Sequence, residues 1–360
     1  MRSQRALDWL NFFVADVESA FGPFIAVYLT TEGWGQAAIG SVLTLSNLIA
    51  LGTQSPAGWL VDHLRVKRLI VGTCLACVAG GAMLIAFVPF YPAVAVGEGL
   101  HGISGGALRT ALAAIAIGLV GHRALGRRVG RNQLWNSAGN AAAAAGMGAL
   151  GTFVSYRMPL FAGAALCVPA AIALLSIRNR EISFARARQA PRDDERKAER
   201  WRVLLKDKGL LAFTLVLTLF QFANASLLPL ASERLAQDFK ARSDLLAAAL
   251  VVVPQLVAAG LAPVIARWAD ERGRRQMLLL AFSALVLRAG LYAFAFNPWY
   301  VVGVSAFGGL DASVIGVLMP LVVADCTRGT GRYNVTLGLV GTISILGATV
   351  STTAMGFIAE

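Results

Sequence analysis

Gly58-Trp59-Leu60-Val61-Asp62-His63-Leu64-Arg65-Val66-Lys67-Arg68 and Ala266-Arg267-Trp268-Ala269-Asp270-Glu271-Arg272-Gly273-Arg274-Arg275 are two charged stretches in an otherwise apolar chain. Their aspartates stand 208 positions apart, at 62 and 270. Each stretch follows the second hydrophobic span of its half and precedes the third. A repeated span–Asp–basic–span unit implies a duplicated bundle of membrane helices.

The composition agrees with a membrane reading. The 360 residues are 57% hydrophobic and 14% charged, with a mean hydropathy of +0.65. A soluble domain carries about a quarter charged residues. Apolar runs long enough to cross a bilayer recur throughout, and predict eleven spans over 7–30, 37–61, 69–90, 92–120, 132–154, 159–177, 209–231, 244–266, 276–296, 298–324 and 333–358. The first run contains Asp16 and Glu18 and lacks a small-residue cleavage site, so it reads as a span rather than a cleavable leader. A formal charge of +12 raises the question of nucleic acid, but 26 of the 32 Lys and Arg fall in segments on one side of these spans. Arg157, Arg234, Lys240 and Arg242 fall on the other. This asymmetry sets an N-terminus in the cytoplasm of a cell (inner) membrane and excludes a nucleic-acid surface.

Residues 178–208 divide the chain, with 11 basic and 6 acidic side chains and no spanning run. The expected organisation is a six-span bundle over 1–177, a basic cytoplasmic linker over 178–208 and a five-span bundle over 209–360. Trp201, Leu204 and Leu205 share one helical face, which fits either a helix at headgroup level or a solvated linker with one apolar patch. The duplication calls for six spans in each half, so the expectation is a sequence truncated before a twelfth span or, as the alternative, a true eleven-span protein with an outside C-terminus. Cys74 and Cys77 have a CxxC spacing but sit mid-span. No nearby residues complete a zinc site, and the cysteines read as small apolar packing. No metal or cofactor motif is found.

The chain resembles the major facilitator superfamily over essentially all of its length. That family's loop between spans 2 and 3 reads Gly-x-Leu-x-Asp-Arg-x-Gly-Arg-Arg. Gly58, Leu60, Asp62, Lys67 and Arg68 match it, whereas His63, Arg65 and Val66 depart. The second copy keeps Asp270, Gly273, Arg274 and Arg275 and lacks the opening Gly. The resemblance implies an all-α polytopic fold of two pseudo-symmetric bundles, here 6 + 5 helices, acting as a monomer, with spans 1, 4, 7 and 10 around a central cavity. It places Asp62 against the N-terminus of span 11 as a gate latch, with Arg65, Lys67 and Arg274 paired to acids across the gate. It implies a secondary active transporter of a small solute. Drug exporters of the family often carry a Gly-Pro motif in span 5, and this span has no Pro, which argues against that subgroup.

Ionisable groups inside spans cost on the order of 2.5–3.5 kcal/mol each on insertion scales, so those present need a partner, water or a task. On span 4, Glu98, His101, Gly105 and Arg109 form a stripe, Glu98 and Arg109 sharing a face about 16 Å apart. Many proton-coupled family members carry an Arg near the position of Glu98. Gly102 matches the accompanying glycine and Glu98 does not match the Arg. Span 1 carries Asp8, Asn11, Asp16 and Glu18, Asp8 being near the cytoplasmic end and within reach of water. Span 7 carries Gln221 and Asn224, span 9 Arg288 and span 10 Asp311. Two readings stand side by side. Arg109 with Asp16 or Glu18, and Arg288 with Asp311, are structural ion pairs; or a carboxylate, Glu98 first and then Asp311 and Asp16, loads and releases a proton, while Arg109 binds a polar or anionic solute.

Two other functions are weighed. Gly102-Ile103-Ser104-Gly105 resembles the serine segment of rhomboid proteases, but such an intramembrane hydrolase needs a downstream His as base. The histidines are His63, His101 and His122, so the chain is not read as an enzyme. A lipid-handling, flippase-type carrier would share every feature above.

Overall fold

The computed structural model describes residues 2–19, 21, 23–190, 207–229, 231, 243–294 and 297–359, without the side chains of 18, 19, 23, 243–247 and 352–359. The Glu18 side chain therefore lies outside the described residues, as do Trp201, Leu204, Leu205, Arg234, Lys240 and Arg242. In lipid every backbone polar group must be satisfied within its own segment, which leaves helix as the only open-chain solution. The described regular elements are all helical. They run α1 (Arg2–Ser19), α2 (Pro23–Thr31), α3 (Gln36–His63), α4 (Lys67–Phe87), α5 (Tyr91–Val120), α6 (Leu125–Phe153), α7 (Met158–Ser176), α8 (Phe184–Arg188), α9 (Lys208–Ala225), α10 (Ser243–Glu271), α11 (Arg274–Ala293), α12 (Pro298–Cys326) and α13 (Tyr333–Ala359), with 3₁₀ turns at His122–Ala124 and Asn179–Glu181.

Local chemistry sets the helix starts. Asp207 caps α9 by accepting the N–H groups of Gly209 and Leu210 at 2.8 and 3.0 Å. Asn297 accepts from Trp299 N at 2.9 Å at the head of α12. Both supply acceptors for orphan first-turn donors. Gly273 precedes α11 at φ +95°, a left-handed conformation that a side chain would resist. The first expected span is two helices rather than one. α1 stops at Ser19 and α2 begins at Pro23, because Pro has no N–H to continue the ladder and its fixed φ suits a first turn.

Nine of the described helices are long and apolar enough to cross a membrane. α1 and α6 fall short of that apolarity. α1 carries Arg2, Arg5, Asp8 and Asp16, and α6 carries Arg127, Arg128, Arg131 and four side-chain amides. These two polar helices pack against each other, so much of their charge is turned inward.

Two apolar cores result. One is built from α1 to α7 around Leu7, Leu10, Ile25, Ile85, Leu108 and Ile115. The other is built from α9 to α13 around Phe213, Phe220, Leu285, Leu318 and Leu321, with Ile117, Leu125 and Val129 joining from α5 and α6. Lipid tails are as apolar as these side chains, so close backbone approach has to supply the cohesion between halves. It does so along two seams, α3 against α13 and α6 against α10. A Cβ on Gly58 would run into the Asn334 carbonyl, and one on Gly130 would meet Ala266 and lie 2.9 Å from the Ala262 carbonyl.

The seams lie toward the basic end, where His63, Lys67, Val120 and Leu125 sit. They reach the middle at Thr342, whose Oγ1 donates to the Leu51 carbonyl at 3.3 Å. Beyond that depth no hydrogen bond joins the two sets of helices among the described residues. The short α8 reinforces the sealed end. Ser183 N donates to the Gly118 carbonyl at 3.1 Å on one side. On the other, Asn334 Nδ2 donates to the Ala187 carbonyl at 2.9 Å and Gly329 N to the Gln189 carbonyl at 2.8 Å.

Candidate functional site

A cavity of about 490 Å³ lies between the two sets of helices. Its floor is at the sealed end, where Ala116, Leu125, Tyr333 and Leu337 line it. Its walls come from α1 (Asn11, Val14), α3 (Gln54), α5 (Gly106, Arg109, Thr110, Ala113), α6 (Asn132, Gln133, Asn136, Asn140), α9 (Leu217, Gln221), α12 (Ile315, Gly316, Met319, Pro320) and α13 (Gly338, Gly341, Ser344). Arg109 is the only charged residue in that lining. It is exposed within the structure and has neither a hydrogen bond nor an ion pair among the described residues.

Of the residues singled out from sequence, Arg109 and Gln221 line this cavity, whereas Glu98, His101, Asp16, Asn224 and Asp311 do not. Glu98 shares a helix face with Arg109 but lies at a different depth, where α3 covers it. Ser46 Oγ donates to the Glu98 carbonyl at 2.9 Å, the residue is 1% exposed, and its Oε1 has no hydrogen-bond partner. His101 Nδ1 stands 3.9 Å from Glu98 Oε2, and its ring stacks on Phe21 at 4.3 Å between centroids. Asp16 is buried and has no partner among the described residues.

The expected pairing of Arg109 with Asp16 is not among the described contacts: Arg109 lines the cavity and Asp16 does not; the side chain of the alternative partner, Glu18, lies outside the described residues. The acid on α1 that carries an ion pair is Asp8. It is 1% exposed, not in contact with water as its place near the helix end suggested. Its carboxylate accepts from Arg128 Nη2 and, at 2.5 Å, from Arg131 Nη2. Arg128 also donates from Nε to Asn132 Oδ1 at 2.7 Å and from Nη1 to the Gln4 carbonyl at 3.0 Å. This network holds α6 so that Asn132, Asn136 and Asn140, four apart, face the cavity together. Sequence reading passed over these amides. Their spacing of four was the available signal.

In the second set of helices Arg288 Nη1 lies 3.4 Å from Asp311 Oδ2, and Arg288 Nη2 donates to Asn224 Oδ1. Gly308 leaves room for the guanidinium. Asn224 is thereby engaged away from the cavity. Ser104 Oγ donates to the Leu100 carbonyl at 2.7 Å, and the ring of its neighbour His101 stacks on Phe21, so no hydrogen bond joins the two among the described residues.

The sealed end is built on the two charged stretches. Asp62 is 2% exposed. It accepts from Asn334 N at 3.3 Å, Asn334 Nδ2 at 2.8 Å and Val335 N at 2.9 Å, so its charge meets the free donors and positive pole of α13. Lys67 turns back rather than across, donating from Nζ to the Leu64 carbonyl at 2.7 Å and to the Val61 carbonyl. Lys67 also lies over the Phe184 ring at 4.8 Å, and Arg65 over the same ring at 5.4 Å. Arg68 Nη2 donates to the Leu175 carbonyl at 3.2 Å. In the second copy Arg274 bonds Asp270 at 2.8 Å and Asp325 at 3.2 Å, both on its own side of the gate. Arg275 is exposed. Among the described residues, the side-chain contact between ionisable groups that crosses is His122 Nε2 to Asp325 Oδ1, at 3.2 Å.

The family model of the Major Facilitator Superfamily matches residues 7–360. An uncharacterized MFS-type transporter of Mycobacterium tuberculosis, in strains CDC 1551 / Oshkosh and ATCC 25618 / H37Rv, is 36% identical over 363 residues, covering 99% of this chain and 86% of the relative. A multi-drug resistance efflux pump PmrA homolog of Lactococcus lactis is 28% identical over 108 residues, 30% of this chain and 26% of its own. Among solved structures, the transporter FucP in the outward conformation superposes with a TM-score of 0.73 at 16% identity, covering 99% of this chain and 92% of its own. The nucleoside transporter NupG superposes with a TM-score of 0.68 at 16% identity, covering 98% and 91%. The fold, the two seams and the family match agree: this chain is a membrane transporter and belongs to the major facilitator superfamily.

Proposed function

We propose that this transporter is a proton-linked secondary carrier that moves a small polar solute across the cytoplasmic membrane by alternating access. The observation that carries the reading is a central cavity, walled by both sets of helices, with side-chain amides and the Arg109 guanidinium set in an otherwise largely apolar lining and its floor at the basic end. The bundles over 1–177 and 209–360 are the moving bodies, and 178–208 joins them. With the N-terminus in the cytoplasm, the sealed basic end is the inner gate and the structure is the outward-facing state. The amides and guanidinium of the lining suit a water-soluble solute better than lipid tails, which favours a solute carrier over a flippase.

Proton coupling is assigned to Glu98, whose buried Oε1 lacks a hydrogen-bond partner one turn from His101. A change in the cover given by α3 and Phe21 during the transport cycle would alter the access of this carboxyl group to water and protons. The test is uptake by the full-length protein in proteoliposomes with and without an imposed pH gradient. Glu98→Gln is expected to abolish gradient-driven accumulation while sparing solute exchange. Gradient-driven accumulation at the wild-type rate in that variant would remove Glu98 from the role. Gradient-independent flux in the wild type would remove proton coupling.

A further inference from the structure

The hydrogen-bonding state of the cavity wall narrows the solute class. This inference rests on the carrier reading above. Arginine can only donate, so the bond from Arg128 Nε fixes Asn132 with its oxygen turned to Arg128. The amide nitrogen of Asn132 is left to donate elsewhere. Asn136 Oδ1 accepts from Asn140 Nδ2 at 3.4 Å, and Gln54 Oε1 accepts from Thr342 Oγ1 at 3.3 Å. Their amide nitrogens are likewise donors without a partner in these bonds. Asn11 is turned the other way: its Nδ2 donates to the Leu7 carbonyl at 2.7 Å, so its oxygen is an acceptor. The wall therefore offers N–H donors on Asn132, Asn136 and Gln54, amide oxygens on Asn11, Gln133 and Asn140, and the Arg109 guanidinium, with no carboxylate in the lining among the described residues.

A fixed cation in a partly desolvated cavity selects for an anion, and a guanidinium fork matches the two oxygens of a carboxylate. The surrounding amide donors match further acceptor oxygens, and the Asn11 oxygen matches a hydroxyl. A neutral polyol leaves Arg109 without a counter-charge, and a cation is repelled by it. We infer that the solute is a small hydroxylated carboxylate, its charged end held by Arg109 and its other oxygens met by Asn132 and Asn136.

The test uses matched pairs of probes in proteoliposomes of the full chain: gluconate with sorbitol, galacturonate with galactose, and lactate with 1,2-propanediol. The expected result is saturable uptake of the carboxylate member of at least one pair, with the neutral member at least tenfold weaker in kcat/KM. Arg109→Gln should raise KM for the carboxylate at least tenfold with an unchanged melting temperature. Arg109→Lys, which keeps the charge but not the fork, should fall between. Transport of neutral members at equal or greater efficiency would overturn the solute class and leave the carrier reading standing, as would a wild-type KM for carboxylates in Arg109→Gln. Absence of flux for all six probes in folded, reconstituted protein would count against the solute class. If neutral, cationic and anionic metabolite sets also failed, the carrier reading would fall with it.

Discussion

Replacing Asp62 by Asn should open the sealed end. The two side chains have nearly the same shape, so the change removes charge and one accepting oxygen without leaving a hole. Asp62 accepts three bonds, two of them from Asn334 N and Val335 N in the first turn of α13. An amide offers one oxygen to these donors and turns an NH₂ toward the others. A hydrogen bond to a charged group is worth roughly 1.5–3 kcal/mol, and a partly buried charge at a helix terminus up to about 2 kcal/mol. Against these stands the desolvation of a carboxylate that is 2% exposed, a cost the amide largely avoids. A net loss of about 2 kcal/mol follows, felt only while α13 lies against α3. At about 1.4 kcal/mol per factor of ten, the ratio of open to sealed protein rises about 30-fold.

Thiol labelling reads this ratio directly. Ala116 lines the cavity floor and is 1% exposed, so a cysteine there is reached from the basic end only when the gate parts. In a background lacking the four native cysteines, Ala116→Cys should react with a membrane-impermeant maleimide applied only at the basic side about 30 times faster when Asp62→Asn is added, as long as the open state stays the minor one. Asp270→Asn is the internal control. The Asp270 side chain lies against Gly126 in the first turn of α6, but it is 48% exposed and its ion pair is with Arg274, and exposed pairs contribute little. It should accelerate labelling less than fivefold. An Asp62→Asn rate within twofold of the parent, or an equal response to both substitutions, would refute the latch argument.

Two further substitutions test the scaffold. Asp8→Asn leaves Arg128, itself 2% exposed at the side chain, without its counter-charge and beside Arg131. Breaking such a buried pair costs about 3–5 kcal/mol, so the melting temperature in detergent should fall sharply and Arg128→Gln in the same chain should recover part of it; an unchanged melting curve would show that the network contributes nothing. Gly309→Val should also destabilise the protein, because a Cβ there meets the Pro254 carbonyl and Val257. Overpacking of this kind costs roughly 1–3 kcal/mol, seen as a lower melting temperature, whereas the same change at Gly303, where a Cβ meets nothing within 4 Å, should be nearly silent.

How far the sequence could be read follows from what each signal measures. Hydropathy reports depth in the bilayer, so span positions and the two-bundle plan were legible, and the duplicated Asp loops gave the internal symmetry. The split of the first span was not anticipated because the apolar run continues across Pro23, although that residue cannot carry the helix ladder onward. Side-chain partners were the harder part. Hydropathy says nothing about helix rotation, and one residue moves a side chain 100° around the axis. The pairing of Arg109 with Asp16 respected depth but is not made in the structure, and the alternative partner, Glu18, has its side chain outside the described residues.

That failure bears on what the site can do. Had Arg109 been neutralised by Asp16, the cavity would have carried no net charge, and its solute would have been chosen by amides alone. The α1 ion pair instead lies at Asp8, deep in the sealed end, where it orients α6 and turns three asparagines toward the cavity. Arg109 has no carboxylate beside it among the described lining residues. A positioning pair at the gate and a cation at the centre divide the tasks between two arginines, and under the solute class inferred above the solute's own charge supplies the counter-ion. On this argument occupancy and gate closure are electrostatically separable: Arg109 variants should alter KM, Asp8 variants should alter stability, and neither should imitate the other.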